Sequence, residues 1–400
     1  MRKALLFLSI VAVVLMVATA FAQDGTIVAP ASTRGLPNLK VHTPLYIFVP
    51  NGVIPNSTNP PPNAENPESL ACIYGVTAPT NGCPRSGAPL PTGGSKAIAV
   101  VDYGHNSTLQ TDFNAFNAQY GLPTQTLQFI CDCGSCPSNN GTGWDLETAL
   151  DVEYSHAMAP NAQIIVAEFC SDPFEGGQNA AEYKAGVAVA NAGGGEVSNS
   201  FGYNGGEDQG ELDWDQYMTQ QTVVYFSSAG DSGVGPQYPS VSPNTVSVGG
   251  TQVIRSSGQF QGVENCWSGS GGGISTIEPL PQYQLILGNK LGPKRGTPDI
   301  AADASPNSGA AVYSSTACNG WCQVGGTSLA SPLLAGIINQ AGNFSNRTLN
   351  ELGKLYQYYL NPGRYRHYFY DVTSGSNGQP AQVGWDQCTG LGTPRDPSGF

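Results

Sequence analysis

Four short stretches of the chain are mostly apolar: Ala97-Ile98-Ala99-Val100-Val101, Gln163 to Phe169, Thr222 to Phe226 and Thr245 to Val248. Runs of this length with β-branched members predict strands buried on both faces, as in a parallel sheet. Asp145 to Met158, Asn179 to Ala192, Glu211 to Gln220 and Ser328 to Ala341 read as helices. Strands alternating with helices predict an α/β fold, a mostly parallel central sheet with helices on both faces, built as one large domain over residues 67–400. In such sheets ligands sit at the carboxyl ends of the strands.

The chain start follows other rules. Residues 1–22 carry Arg2 and Lys3, then a mostly apolar stretch, then Ala20-Phe21-Ala22, which is the pattern of a cleaved secretory signal. Residues 23–66, with Asn59-Pro60-Pro61-Pro62, read as an extended Pro/Asn-rich leader that adds nothing to the core. The expected product is secreted, free of the membrane once the signal is removed, and a monomer.

Composition narrows the partners. Charged residues are only 11% of 400, and 16 Lys plus Arg stand against 29 Asp plus Glu for a net charge of −13. That balance argues against nucleic acid as a partner. In an exported chain the ten Cys are expected to pair: Cys72 with Cys83, Cys318 with Cys322, and one pair within Cys131, Cys133 and Cys136. Zinc on that last cluster is the weaker alternative, because no second pair follows at finger-like spacing.

The candidate chemistry centres on Gly325-Gly326-Thr327-Ser328, which precedes an apolar helical run. A Ser entering a helix from a Gly-rich turn has an open backbone beside it and a helix N-terminus that favours developing negative charge. Its usual base would be His. His42, His105, His156 and His367 all lie in unpromising settings, whereas Glu147 and Asp151, four residues apart on one helix face, can supply a carboxylate pair. Asp231, in Ala229-Gly-Asp-Ser-Gly233, follows a strand end where site residues gather.

These pieces, with Ser198-Asn-Ser-Phe-Gly202, Val248-Gly-Gly-Thr251, Trp267 to Ser275 and Pro298-Asp299 in the same order, resemble the sedolisin family of serine-carboxyl peptidases. That family has a subtilisin-like fold in which Glu replaces the catalytic His. The resemblance implies Ser328 as nucleophile, Glu147 as general base and then acid, Asp151 orienting Glu147, and Asp231 as a protonated donor to the oxyanion. It implies hydrolysis of protein or peptide substrates at acidic pH, with Ser200, Phe201 and Gly202 lining the substrate cleft. It also implies one structural calcium ion held by Asp371 and Asp386 and the carbonyls of Val372, Gln382 and Gly384. Family members usually carry a long folded propeptide, and only about 70 residues separate Gln23 from Ala97. Two alternatives remain: a catalytically inactive relative that binds peptide, and a subtilisin-type peptidase using Asp102, a His and Ser328.

Overall fold

The computed structural model describes residues 24–51 and 57–400; the expected signal segment lies outside them. Among the described residues no helix is long and apolar enough to cross a membrane.

The central sheet runs, in spatial order, Gln259–Cys266, Val246–Ser256, Val223–Ser228, Gly195–Asn199, Ala97–Tyr103, Gln163–Phe169, Gln128–Cys131, with Ile300–Asp303 also on Val246–Ser256. Only the hairpin Val246–Ser256/Gln259–Cys266 is antiparallel. Ala97–Tyr103 lies in the middle and the chain leaves it in both directions, which makes its carboxyl end the switch point where a crevice opens.

Alternation along this strand explains why both faces are dry. Ile98 and Val100 enter the core shared with Leu146, Leu150 and Leu329, while Ala97, Ala99 and Val101 enter a second core with Ala181, Ala185 and Val189. The helices Trp144–Met158 and Thr327–Ala341 therefore cover one face, and Ala181–Asn191 covers the other. By the same period of two, Asp102 points to the face of Trp144–Met158 and Thr327–Ala341.

The four expected strands and helices are all present, with ends shifted by a few residues. Glu211 to Gln220 breaks after Trp214 into a tighter turn, Asp215–Met218. The strand Gly195–Asn199 was not legible as one: Val197 is its only large apolar residue. Its polar side chains instead find partners inside, Glu196 with Asn339 at 2.7 Å, Ser198 with Ser331 at 2.9 Å and Asn199 with Glu182 at 3.1 Å.

The leader expectation needs correction. Tyr46–Pro50 pairs antiparallel with both Gly25–Val28 and Gly320–Gly325, so residues 25–50 are tied to the strand that leads into Ser328. Val41, Leu45 and Phe48 are buried, Glu65 is buried between Arg85 and Arg255, and Asn66 caps the helix Pro67–Ile73. Scattered Pro and Asn hid these few anchors.

Cysteine pairing follows the expected Cys72–Cys83 and Cys318–Cys322 and resolves the cluster as Cys131–Cys136, adding Cys133–Cys170 and Cys266–Cys388.

Candidate active site

Ser328 is the second residue of its helix, and Gly326 before it has φ +124°. A side chain on Gly326 would put its Cβ 2.1 Å from the Pro44 carbonyl oxygen and 2.6 Å from Asp231 Oδ2, so only Gly fits. Further along, Pro332 has no N–H to return to the Ser328 carbonyl. The Ser200 hydroxyl, at 3.4 Å, is aimed at that freed oxygen, and at 2.9 Å it donates to Asp151 Oδ1. One hydroxyl thus bridges the serine helix and the carboxylate helix.

Glu147 and Asp151 lie one turn apart on Trp144–Met158, both buried. Burial pushes the Glu147 carboxyl well above its usual range, and the neighbouring Asp102 carboxylate adds to the rise. The Ser328 and Thr43 hydroxyls face Glu147 and oppose that rise, yet no hydrogen bond closes on either Glu147 oxygen or on Ser328 Oγ. The groups are adjacent and unbonded. Asp151 is raised by burial, then by Asp102 and Glu147, and lowered by Ser200. Asp102 is itself raised by burial, with both oxygens unpartnered. Three carboxyl groups in one dry volume cannot all ionise, so they titrate as a unit.

Asp231 follows the strand Val223–Ser228. Thr327 donates to its Oδ1 twice, from the backbone N–H at 2.8 Å and from the hydroxyl at 2.9 Å. Its Oδ2 is buried without a partner, and burial raises the carboxyl to about 7. A neutral acid there holds one hydrogen to donate beside the Ser328 helix N-terminus.

The histidines are employed elsewhere. His105 Nδ1 meets Glu168 at 2.5 Å, His156 is clasped by Gln125 and the Pro123 carbonyl, His42 meets Asn204 and His367 meets Asp396. Among the described residues none bonds Ser328, Glu147 or Asp151.

The other expected residues divide. Ser200 joins the site by its side chain, while the Gly202 backbone pairs with His42. The Phe201 ring turns away into an aromatic cluster, 5.9 Å from Phe169 and 6.2 Å from Phe174, so it lines nothing by its side chain. Asp102, named only with a His base, lies instead beside Glu147 and Asp151, and Thr43 and Pro44 were missed as site members. The alternation of Ile98, Val100 and Asp102 carried a signal for the first; no local pattern marked the other two.

Asp371 and Asp386 lie in one C-terminal loop. Gly384 N–H donates to both Asp371 oxygens at 3.1 and 3.0 Å, and Gln382 N–H donates to Asp386 Oδ2 at 3.0 Å. Burial raises both carboxyl groups, and both act on the Tyr365 hydroxyl, so they share one neighbourhood. Lys290, the cation acting on Asp371, spends its ammonium on the Trp385 carbonyl at 3.0 Å. Two carboxylates in one loop offer oxygen donors of the kind a hard cation takes, with backbone N–H groups occupying them here.

Residues 136–354 match the family model described as the subtilase family. Kumamolisin from Bacillus sp. (strain MN-32) is 29% identical over 76% of this chain and 59% of its own length. Xanthomonalisin from Xanthomonas sp. (strain T-22) is 26% identical over 93% and 52%, and sedolisin from Pseudomonas sp. (strain 101) is 27% identical over 82% and 59%. The chain thus spans between about half and three fifths of these curated relatives. Among solved structures, Pseudomonas sedolisin, a serine-carboxyl proteinase complexed with two molecules of pseudo-iodotyrostatin, superposes with a TM-score of 0.65 at 24% identity, covering 83% of this chain and 95% of that one.

Proposed function

Because this chain belongs to the subtilase family and, within that fold, to the sedolisins, we propose that it is an exported serine-carboxyl endopeptidase that cuts peptide bonds at acidic pH. The observation that carries the reading is the buried Glu147–Asp151 pair facing Ser328, with both Glu147 oxygens and Ser328 Oγ left without partners. Buried polar groups are almost always satisfied in a fold that has no further use for them.

In this reading the Ser328 hydroxyl attacks the substrate carbonyl and passes its proton to Glu147, which returns it to the leaving amine. The Ser328 and Thr43 hydroxyls face Glu147, so a charge formed on it in the reaction meets two donors able to close on it. Asp151, held by Ser200, fixes the position of that charge. Asp231 keeps its proton below about 7 and donates to the oxyanion together with the Ser328 N–H. A His base would be charged and idle at the same acidity.

Asp371 and Asp386, with carbonyls of Val372, Gln382 and Gly384, would hold one calcium ion that pins the C-terminal loop. Export by a cleaved signal in residues 1–22 is part of the same reading. Proteolysis of a denatured protein between pH 3 and 6, with Ser328→Ala alongside, tests the function; equal activity in the two proteins would remove Ser328 from it.

A further inference from the structure

Four sulfur atoms converge at one edge of the central sheet. Cys131 ends the strand Gln128–Cys131, which runs parallel to Gln163–Phe169 with Cys131 opposite Glu168, and Cys170 directly follows Phe169. The two strand ends thus bring together cysteines 39 residues apart. Cys133-Gly134-Ser135-Cys136 turns back over them, with Gly134 at φ +86° and open space beside it. A Cys-x-x-Cys turn facing two further cysteines is the layout of a structural zinc site. Spacing along the chain hid it, because the fourth sulfur arrives 34 residues after Cys136.

The two disulfides of this cluster, Cys131–Cys136 and Cys133–Cys170, press against each other. Sulfurs that are not bonded meet at 3.6 Å for Cys131 and Cys133, 3.8 Å for Cys131 and Cys170, and 3.1 Å for Cys136 and Cys170. All four, with a carboxyl oxygen of Asp132, lie within 4.8 Å of one another. Thiolates about 2.3 Å from one zinc ion stand about 3.8 Å apart, so the cluster already has the size of that tetrahedron. Its surroundings suit the charge. Lys184 brings its ammonium to the Cys131 and Asp132 carbonyls at 3.4 and 2.9 Å, beside a centre where four thiolates outweigh a divalent ion. Access sets the cluster apart as well: Cys133 is exposed and Cys131, Cys136 and Cys170 are half-buried, whereas the other six cysteines are buried.

We propose that Cys131, Cys133, Cys136 and Cys170 form a tetrathiolate site for zinc, or another thiolate-binding divalent metal, that replaces the two disulfides when the chain is reduced near neutral pH. Two molecules of a dithiol reductant each pass two electrons and two protons to one disulfide and become disulfides themselves, so Cys131–Cys136 and Cys133–Cys170 open to four thiols. The metal then displaces the four thiol protons to solvent and bonds the four sulfurs. Acid releases it, because protons compete for the same sulfurs. Either clasp holds the same loop. Within it the Pro137 carbonyl accepts the His105 N–H at 2.6 Å and the Asn139 amide donates to the Tyr103 carbonyl at 2.9 Å, and the loop then enters the helix that carries Glu147. The site needs neither Ser328 nor the peptidase reading.

The test treats purified full-length chain with a dithiol at pH 7, maps the opened cysteines by alkylation and mass, and then adds zinc or cobalt(II) alone. New thiols are expected at Cys131, Cys133, Cys136 and Cys170 while the buried cysteines stay paired. The reduced chain should go from no bound metal to one ion per chain, with an intense sulfur-to-cobalt charge-transfer band, and zinc should block alkylation of the four thiols. A shift to pH 4 should release the ion. Cys170→Ser should lose the band, and so should the oxidised wild type, a control that depends on no variant folding. A reduced wild-type chain that takes up no stoichiometric metal overturns the inference, as does a band equally strong in the oxidised chain or in Cys170→Ser. Opening of the buried pairs before the cluster overturns it too. All of these outcomes leave the peptidase reading standing, since Ser328→Ala tests that separately.

Discussion

Two groups of buried carboxylates in this molecule differ in one respect, their hydrogen bonds. Asp299 is fully buried, and Arg295 grips it through both guanidinium nitrogens at 3.1 and 2.6 Å, with Tyr356 at 2.8 Å and the Ser247 N–H at 2.8 Å completing its shell. Glu147 is as deeply buried and has no bonded partner at all. The first carboxylate is spent on the fold. The second is left open, and its neighbours Asp102 and Asp231 also keep open oxygens. Burial alone therefore does not mark a candidate acid; a buried carboxyl left open beside a serine at a helix N-terminus does.

The sharpest way to break this contrast is to neutralise one member of each group. Glu147→Gln is expected to cut the rate by about 10²- to 10⁴-fold, the usual contribution of a positioned base, while leaving the melting temperature nearly unchanged. Asp299→Asn should do the reverse, because stripping one partner from a buried pair costs about 3–5 kcal/mol; calorimetry beside a rate assay reads both. If Glu147→Gln unfolds the protein and Asp299→Asn does not, the assignment of the two groups is inverted.

Next in size is Asp231, the oxyanion donor of the proposed reaction. Asp231→Ala should lower kcat by about 10²- to 10³-fold. Asp231→Asn keeps a donor that does not titrate, so the decline in activity expected of the wild type as pH rises through about 7 should disappear. A pH profile unchanged by Asp231→Asn would separate that limb from Asp231.

A third group sharpens the contrast through stability. Glu182 and Glu196 are buried, each with one oxygen bonded to an amide and the other unpartnered, and burial raises both to about 8. The folded state binds these protons more tightly than the unfolded chain does. Their contribution is therefore complete below the unfolded value near 4.5 and is lost as pH climbs towards 8. Each group costs on the order of a few kcal/mol across that window, so melting temperature should fall from pH 4 to pH 8, and Glu182→Gln with Glu196→Gln should flatten the slope. A melting temperature that rises over that range would contradict it.

Smaller effects are expected from the two remaining features. A chelator should lower the melting temperature by a few degrees, with calcium restoring it, since a ligand at 100 times its Kd adds about 2.7 kcal/mol. Asp102→Asn removes a charge that raises Glu147, so the acid limb of the activity profile should move down by about one pH unit, with little change in the maximum.

Much of this was legible in the sequence, and the rest was hidden for physical reasons. The strands Ala97–Tyr103 and Gln163–Phe169 announce themselves through apolar runs, and Glu147 and Asp151 through helical spacing. Gly195–Asn199 does not, because its interior is stabilised by side-chain hydrogen bonds to distant helices and not by apolar surface. Leu45 and Phe48 are too few to show a strand amid Pro and Asn, and only the partner strand Gly320–Gly325 gives them a place. Thr43 and Pro44 become part of the site through contacts 104 and 284 residues away in sequence, with Glu147 and Ser328, which no local pattern encodes.

The central claim is that a carboxylate, and not a histidine, takes the proton from Ser328. Its most direct measure is the activity of folded Glu147→Gln on a denatured protein at pH 4, against wild type and against a quadruple variant with His42, His105, His156 and His367 replaced by Gln. Glu147→Gln is expected to be inactive within the assay, and the histidine-free protein, once shown to be folded, to cleave at close to the native rate. Activity that survives Glu147→Gln and vanishes with the histidines would contradict it.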